Sequence, residues 1–96
     1  MILTSHSAGT TIIAVSGKFN FGCYQDFHRA LGAAPPNAYV IDLRETTYVD
    51  SAALGMLLLA RERVGDDRGR VTLQVGKGQP LEVLTLANFG TLFTMA

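Results

Sequence analysis

Ser51 is the residue whose type and setting speak most directly to chemistry. It follows Asp50 and opens a long apolar run, Ser51–Val64, that stops at Gly65. Asp is a strong helix N-cap, so Ser51 reads as the first residue of a helix. A hydroxyl there sits at the positive end of the helix dipole, where a phosphate ester would meet free backbone N–H groups. No His or Lys lies close in sequence to activate the hydroxyl as a nucleophile. Ser51 therefore reads as a substrate for another enzyme rather than as a catalyst, with ordinary capping by an Asp-Ser pair as the plain alternative.

The remaining chemistry-bearing residues are dispersed. Cys23 and His28 stand five apart, with no further histidine in register, which suits neither a metal site nor a nucleophile–base pair. Cys23 reads as a small core residue, and His6 as a solvated turn residue. Gly76-Lys77-Gly78-Gln79-Pro80 joins a strand to a helix, as an anion cradle would. It lacks phosphate-loop spacing and the Ser or Thr that should follow the Lys, so it reads as a turn. Asp42 and Glu45 fall near a strand end in a spacing not diagnostic of glycosidase or metal chemistry. Asp42 does lie on the edge where parallel sheets carry functional loops, but reads as a solvated or capping carboxylate. No catalytic residue, cofactor or metal is expected, and the chain is not expected to be an enzyme.

The elements that must position Ser51 come from a short chain. Its 96 residues fit one domain, residues 1–96. Eight Lys+Arg balance eight Asp+Glu, which argues against binding a phosphate backbone, so no direct nucleic-acid contact is expected. With 48% hydrophobic and 17% charged residues, disorder is excluded and one modest core is affordable. One Cys makes no internal disulfide. The longest apolar stretch, Ala52–Ala60, is too short to span a bilayer, and no signal peptide is readable at Met1–Leu3, so a cytoplasmic domain without membrane insertion is expected.

Patterning supplies the order. Met1–Thr4 and Thr10–Ser16 read as a hairpin through a Ser5–Gly9 turn, closed by Gly17. Phe19–Leu31 changes to helical spacing, the helix starting near Gly22 and ending before Gly32 and Pro35-Pro36. Ala38–Leu43 reads as a central strand buried on both faces. Thr46–Val49 is a connector with some strand propensity. After Ser51–Val64 come a polar loop at Asp66–Gly69, a strand at Val71–Val75 and a helix over Leu81–Ala87 with Pro80 at its first position. Asn88 and Gly90 end that helix, and Leu92–Met95 forms a last short strand. The order β-β-α-β-α-β-α-β predicts an α/β fold: a mixed sheet, an N-terminal hairpin plus parallel strands, with helices mainly on one face. The expected core is Ile13, Val15, Val40, Ile41, Leu43, Leu54, Leu57, Leu58, Leu73 and Val75. On the long helix, Ala53, Leu57, Ala60 and Val64 make the core stripe. Ala52, Met56 and Leu59 lie on another side with Gly55, and no charge appears before Arg61. Either the sheet wraps this helix broadly or an apolar strip faces a partner.

Two blocks carry a family resemblance. Tyr39-Val40-Ile41-Asp42-Leu43, followed by Tyr48-Val49-Asp50-Ser51-Ala52-Ala53-Leu54-Gly55-Met56-Leu57-Leu58, resembles the signature of STAS domains, the sulfate-transporter and anti-sigma-factor-antagonist domains. The family pattern is a strand ending in Asp-Leu, then Asp-Ser-Ser-Gly-Leu-Gly opening a helix, and the order of elements agrees over nearly the whole chain. The resemblance implies a stand-alone bacterial anti-sigma factor antagonist. In such proteins the Ser after the signature Asp is phosphorylated by an anti-sigma factor that is a serine kinase, the unphosphorylated form binds that kinase, and a PP2C-type phosphatase restores it. Carried over, the phosphosite is Ser51, and the partner surface is Asp50, Ser51, Ala52, Gly55, Met56 and Leu59, on a monomer or weak dimer. The signature's second Ser and its Gly are Ala52 and Ala53 here, which leaves Ser51 as the single candidate. Many family members add a final helix beyond the position of Met95. The alternative is a structural STAS subunit of a membrane transport assembly, such as a lipid-transport ABC complex.

Overall fold

The computed structural model describes residues 1–32, 38–65 and 70–96. The expected helix stop at Pro35-Pro36 and the expected loop at Asp66–Gly69 lie outside the described residues. Among the described residues, seven strands and three α-helices follow in the order β1 (Ile2–Ser7), β2 (Thr10–Val15), β3 (Gly17–Phe19), α1 (Tyr24–Gly32), β4 (Ala38–Asp42), β5 (Thr46–Val49), α2 (Ser51–Arg63), β6 (Val71–Gln74), α3 (Gln79–Leu86) and β7 (Thr94–Met95). Single turns of 3₁₀ helix precede α1 at Phe21–Cys23 and follow α3 at Phe89–Thr91.

Five strands form one mixed sheet in the order β1-β2-β4-β6-β7, with β1 antiparallel to β2 and the other pairs parallel. The expected α/β architecture is present. In register, Ile13 faces Ile41 and Ile41 faces Leu73. Because side chains alternate across a strand, these three line one face, with Thr11, Val15, Tyr39, Leu43 and Val71, and all are buried. The helices close this face: Phe27, Ala30 and Leu31 of α1, Ala53, Met56, Leu57 and Ala60 of α2, and Leu84 of α3 join the same core cluster.

The opposite face stays half-buried at Ile12, Ala14, Val40, Asp42, Thr72 and Gln74. This corrects the expectation that Ala38–Leu43 is covered on both sides. Of the expected core, Leu54 and Val75 are half-buried against it, and Val40 is half-buried on the opposite face. Leu58 is not core at all, with 39% of its surface exposed. Hydrophobic residues all the way round a helix leave the edges of its buried stripe unmarked, and Met56 takes the inward place instead.

Two short segments escaped the pattern. Gly17 does not end the hairpin but starts β3, its φ of +77° giving a left-handed turn that suits a residue without a Cβ. β3 pairs in parallel with β5 in a separate two-stranded sheet, so the connector Thr46–Val49 is a strand. The hydroxyl of Thr46, buried, donates to the Val15 carbonyl at 2.7 Å and ties this small sheet to the end of β2. At the N-terminus β1 runs on through Ser7, leaving only Ala8 and Gly9 as the turn. Both take positive φ, 50° and 83°, the requirement of a tight type I′ hairpin.

Candidate functional site

The site is built where β5 ends and α2 begins. Asp50 takes extended backbone angles and its Oδ1 accepts from the Ala53 N–H at 2.9 Å, while its carbonyl accepts from the Leu54 N–H at 3.2 Å. That is the N-cap read from the sequence, and it makes Ser51 the first helical residue. Three further bonds fix the approach. The Asp50 N–H donates to the Phe19 carbonyl at 3.4 Å. The side-chain amide of Gln79 pairs with both backbone groups of Val49, accepting from its N–H at 2.9 Å and donating to its carbonyl at 3.0 Å. Gln79 thereby acts as a one-residue strand beside β5 and anchors the start of α3 to the residue just before the cap. Sequence reading took Gln79 for a turn residue, since a contact across 30 positions leaves no local signal.

Ser51 is exposed. Of the other residues on the expected strip, Ala52 and Leu59 are half-buried and Gly55 is exposed. Met56 is a correction: only 2% of it is exposed, so it packs inward and presents nothing to a partner. Leu58 replaces it on the outside. The outer face of α2 thus presents Ser51, Gly55 and Leu58, one turn apart, with Glu62 a turn further on. A Cβ added at Gly55 would meet nothing within 4 Å. Internal packing therefore gives no reason for a glycine in mid-helix, where it costs about 0.8–1 kcal/mol relative to Ala.

A second surface adjoins this one. Phe21, 72% exposed, stacks on Tyr24 at 6.1 Å between ring centroids, and Tyr24 stacks on His28 at 5.8 Å. This ladder starts two residues after Phe19, whose carbonyl holds Asp50. His28 then lines a groove between α1 and α2 together with Leu59 and Glu62. Sequence reading missed Phe21, and the only available signal was a large aromatic off the helical stripe.

The other candidates take structural roles. Cys23 is half-buried and its thiol donates to the Lys18 carbonyl at 3.4 Å. His6 lies in β1 rather than a turn, with Nδ1 3.1 Å from the Thr11 hydroxyl. Asp42 accepts from Arg44 at Nε (2.9 Å), Nη2 (2.8 Å) and backbone N–H (3.0 Å). The guanidinium hydrogen bonds hold its carboxyl below the usual value, against a smaller opposing effect of burial. Lys77 is exposed, and Gly78 caps α3 with φ of +119°. Among the described residues no cluster of His, Cys, Asp and Glu could hold a metal ion, and no helix is long and apolar enough to cross a membrane.

Comparison with known proteins agrees with this fold. The family model described as "Mlab, STAS domain" matches residues 2–94. A STAS-domain containing protein of Pseudomonas aeruginosa is 41% identical over 86 residues, 88% of this chain and 85% of that protein. Among solved structures, an anti-sigma factor antagonist from Mycobacterium paratuberculosis superposes with a TM-score of 0.85 at 22% identity, covering 99% of this chain and 83% of that one. The Bacillus cell fate determinant SpoIIAA in its phosphorylated form gives 0.71 at 14% identity, covering 100% and 91%.

Proposed function

The chain belongs to the STAS domain family, and on that premise we propose that it is a phosphorylation-switched anti-sigma factor antagonist. Unphosphorylated, it binds an anti-sigma factor that is also its serine kinase; phosphorylated on Ser51, it lets go; a PP2C-type phosphatase resets it. The observation that carries this reading is the outer face of α2. An exposed hydroxyl stands at a capped helix start, and one turn away is a glycine that the protein's own packing does not require. A partner backbone could approach closely there and cover Ser51, Ala52, Gly55, Leu58 and Leu59.

The switch follows from charge. A phosphate adds about −1.5 to −2 charges at pH 7. On the free protein that charge is tolerated, because it sits in solvent at the positive end of a helix dipole. In a docked complex the same charge must be desolvated beside the Asp50 carboxylate. An uncompensated buried charge costs several kcal/mol, enough to release a micromolar to nanomolar complex. Release is therefore electrostatic exclusion and needs no unfolding. Incubating the chain with its kinase and ATP, followed by phosphopeptide mapping, tests the assignment. The phosphate is expected on Ser51 and absent from Ser51→Ala; a phosphate that maps elsewhere overturns it.

One observation favours a second reading, a structural STAS subunit of a membrane transport assembly. The matching family model is described by the name Mlab rather than by antagonism of a sigma-factor regulator. On that reading the same face of α2 docks permanently, Ser51 carries no phosphate, and the chain co-purifies with a membrane complex.

A further inference from the structure

The geometry points to β1 as a self-pairing edge, through which two copies of this chain join their sheets into one. β1 lies at the end of the five-stranded sheet and, among the described residues, pairs only with β2. The direction of its backbone groups is fixed by the start of the hairpin. Met1 and Ser16 exchange both bonds, Met1 N to Ser16 O at 3.0 Å and Ser16 N to Met1 O at 2.9 Å. In an antiparallel ladder bonded pairs alternate, so Leu3, Ser5 and Ser7 bond inward to β2. Ile2, Thr4 and His6 then turn their N–H and C=O groups to the open edge.

Proteins blunt such edges with Lys, Pro, bulges or very short strands. The far edge of this sheet uses the last device, since β7 has two residues. β1 uses none: Ile2-Leu3-Thr4-Ser5-His6-Ser7 holds no Lys or Pro, its register with β2 is unbroken, and every residue after Ile2 is exposed.

What flanks the edge suits a second copy of this chain. On the helix side a groove of about 350 Å³ runs between Ile2 and Thr4 of β1 and Asp26, Arg29 and Ala30 of α1. A strand added to β1 drops alternate side chains into that groove. A second β1, related by a two-fold axis normal to the sheet, sets its own Thr4 and His6 beside the groove's Thr4 and Ile2. The rim is self-complementary as well. Asp26 and Arg29 are exposed, one turn apart and 3.4 Å from each other. A two-fold axis brings Asp26 of each copy toward Arg29 of the other, so opposite charges meet twice. The register that uses all three outward residues sets Thr4 opposite its own copy and Ile2 opposite His6. A strand plus one helix flank is a small contact, near the about 1,200 Å² lower bound of specific interfaces, so the dimer forms and dissociates with concentration.

Sedimentation velocity from micromolar to submillimolar chain tests this, with folding of each variant checked by circular dichroism. Wild type is expected to pass from monomer to dimer. Thr4→Pro removes one outward N–H, which an edge strand tolerates, and is expected to weaken the dimer by at least about tenfold. Asp26→Arg or Arg29→Asp sets like charges across the axis and is expected to weaken it comparably, and the double exchange Asp26→Arg with Arg29→Asp to restore it. Wild type that stays monomeric throughout overturns the proposal, including the case in which β1 takes up a strand from a different protein. Dimers in which Thr4→Pro and both charge reversals match wild type overturn it too, as does a double exchange no tighter than the single variants.

Discussion

Helices α1 and α2 pack against each other and meet water in opposite ways. α1 buries Phe27, Ala30 and Leu31 and turns Gln25, Asp26, His28 and Arg29 outward. It is an ordinary amphipathic helix, and its phase is legible in the sequence. α2 buries Ala53, Met56, Leu57 and Ala60, yet its outer face over the first two turns is Ser51, Gly55 and Leu58. Charge arrives only in the last turn. The contrast separates two demands on a helix. On α1 the buried stripe of Phe27, Ala30 and Leu31 is accounted for by folding, and the polar face keeps it soluble. On α2, folding accounts for the inner stripe and the Asp50 cap, and leaves the outer strip without a purpose inside the protein.

Substitutions on the two sides of α2 sharpen that contrast. The largest effect belongs to Leu57→Ala: Leu57 is fully buried, so urea denaturation is expected to show a loss of about 2–5 kcal/mol. Next comes Asp50→Ala, which removes the acceptor for the Ala53 N–H and is expected to cost about 1 kcal/mol, with Asp50→Asn largely restoring it. Gly55→Ala is expected to move stability the other way, up by about 0.8–1 kcal/mol, because the new methyl meets nothing. The same methyl stands where a partner is expected to approach, so a pull-down is expected to weaken as the melting temperature rises. Smallest is Leu58→Ala, a surface change expected to shift stability by under about 0.5 kcal/mol while still weakening the partner. A Leu58→Ala loss as large as that of Leu57→Ala would erase the distinction between the two faces.

How much of this was legible in the sequence follows the same division. The cap at Asp50 and the stripe Ala53, Leu57, Ala60 and Val64 were readable because capping chemistry and 3.6-residue spacing are local. The exchange of Met56 for Leu58 was not, since apolar residues on both sides of that stripe leave its edges undetermined until the sheet fixes them. The β3–β5 pair was missed for a different reason. Three and four residues are too few to show a period, and their pairing is set by Thr46, Gly17 and Glu45 meeting across the chain. The polar second half of β1 passed for a turn because an edge strand has no second face to bury. At the candidate site, the place of Ser51 at the helix start was readable and the anchor Gln79 was not.

The central claim is that charge at Ser51 breaks a contact without breaking the fold, and Ser51→Asp tests it most directly. Its melting temperature and its binding to the serine kinase that modifies the chain are measured together, against wild type and Ser51→Ala. Ser51→Asp is expected to melt within a few degrees of wild type and to lose the partner, while Ser51→Ala melts alike and stays bound. A Ser51→Asp variant that binds as tightly as wild type, or that loses the partner only because it has unfolded, would contradict it.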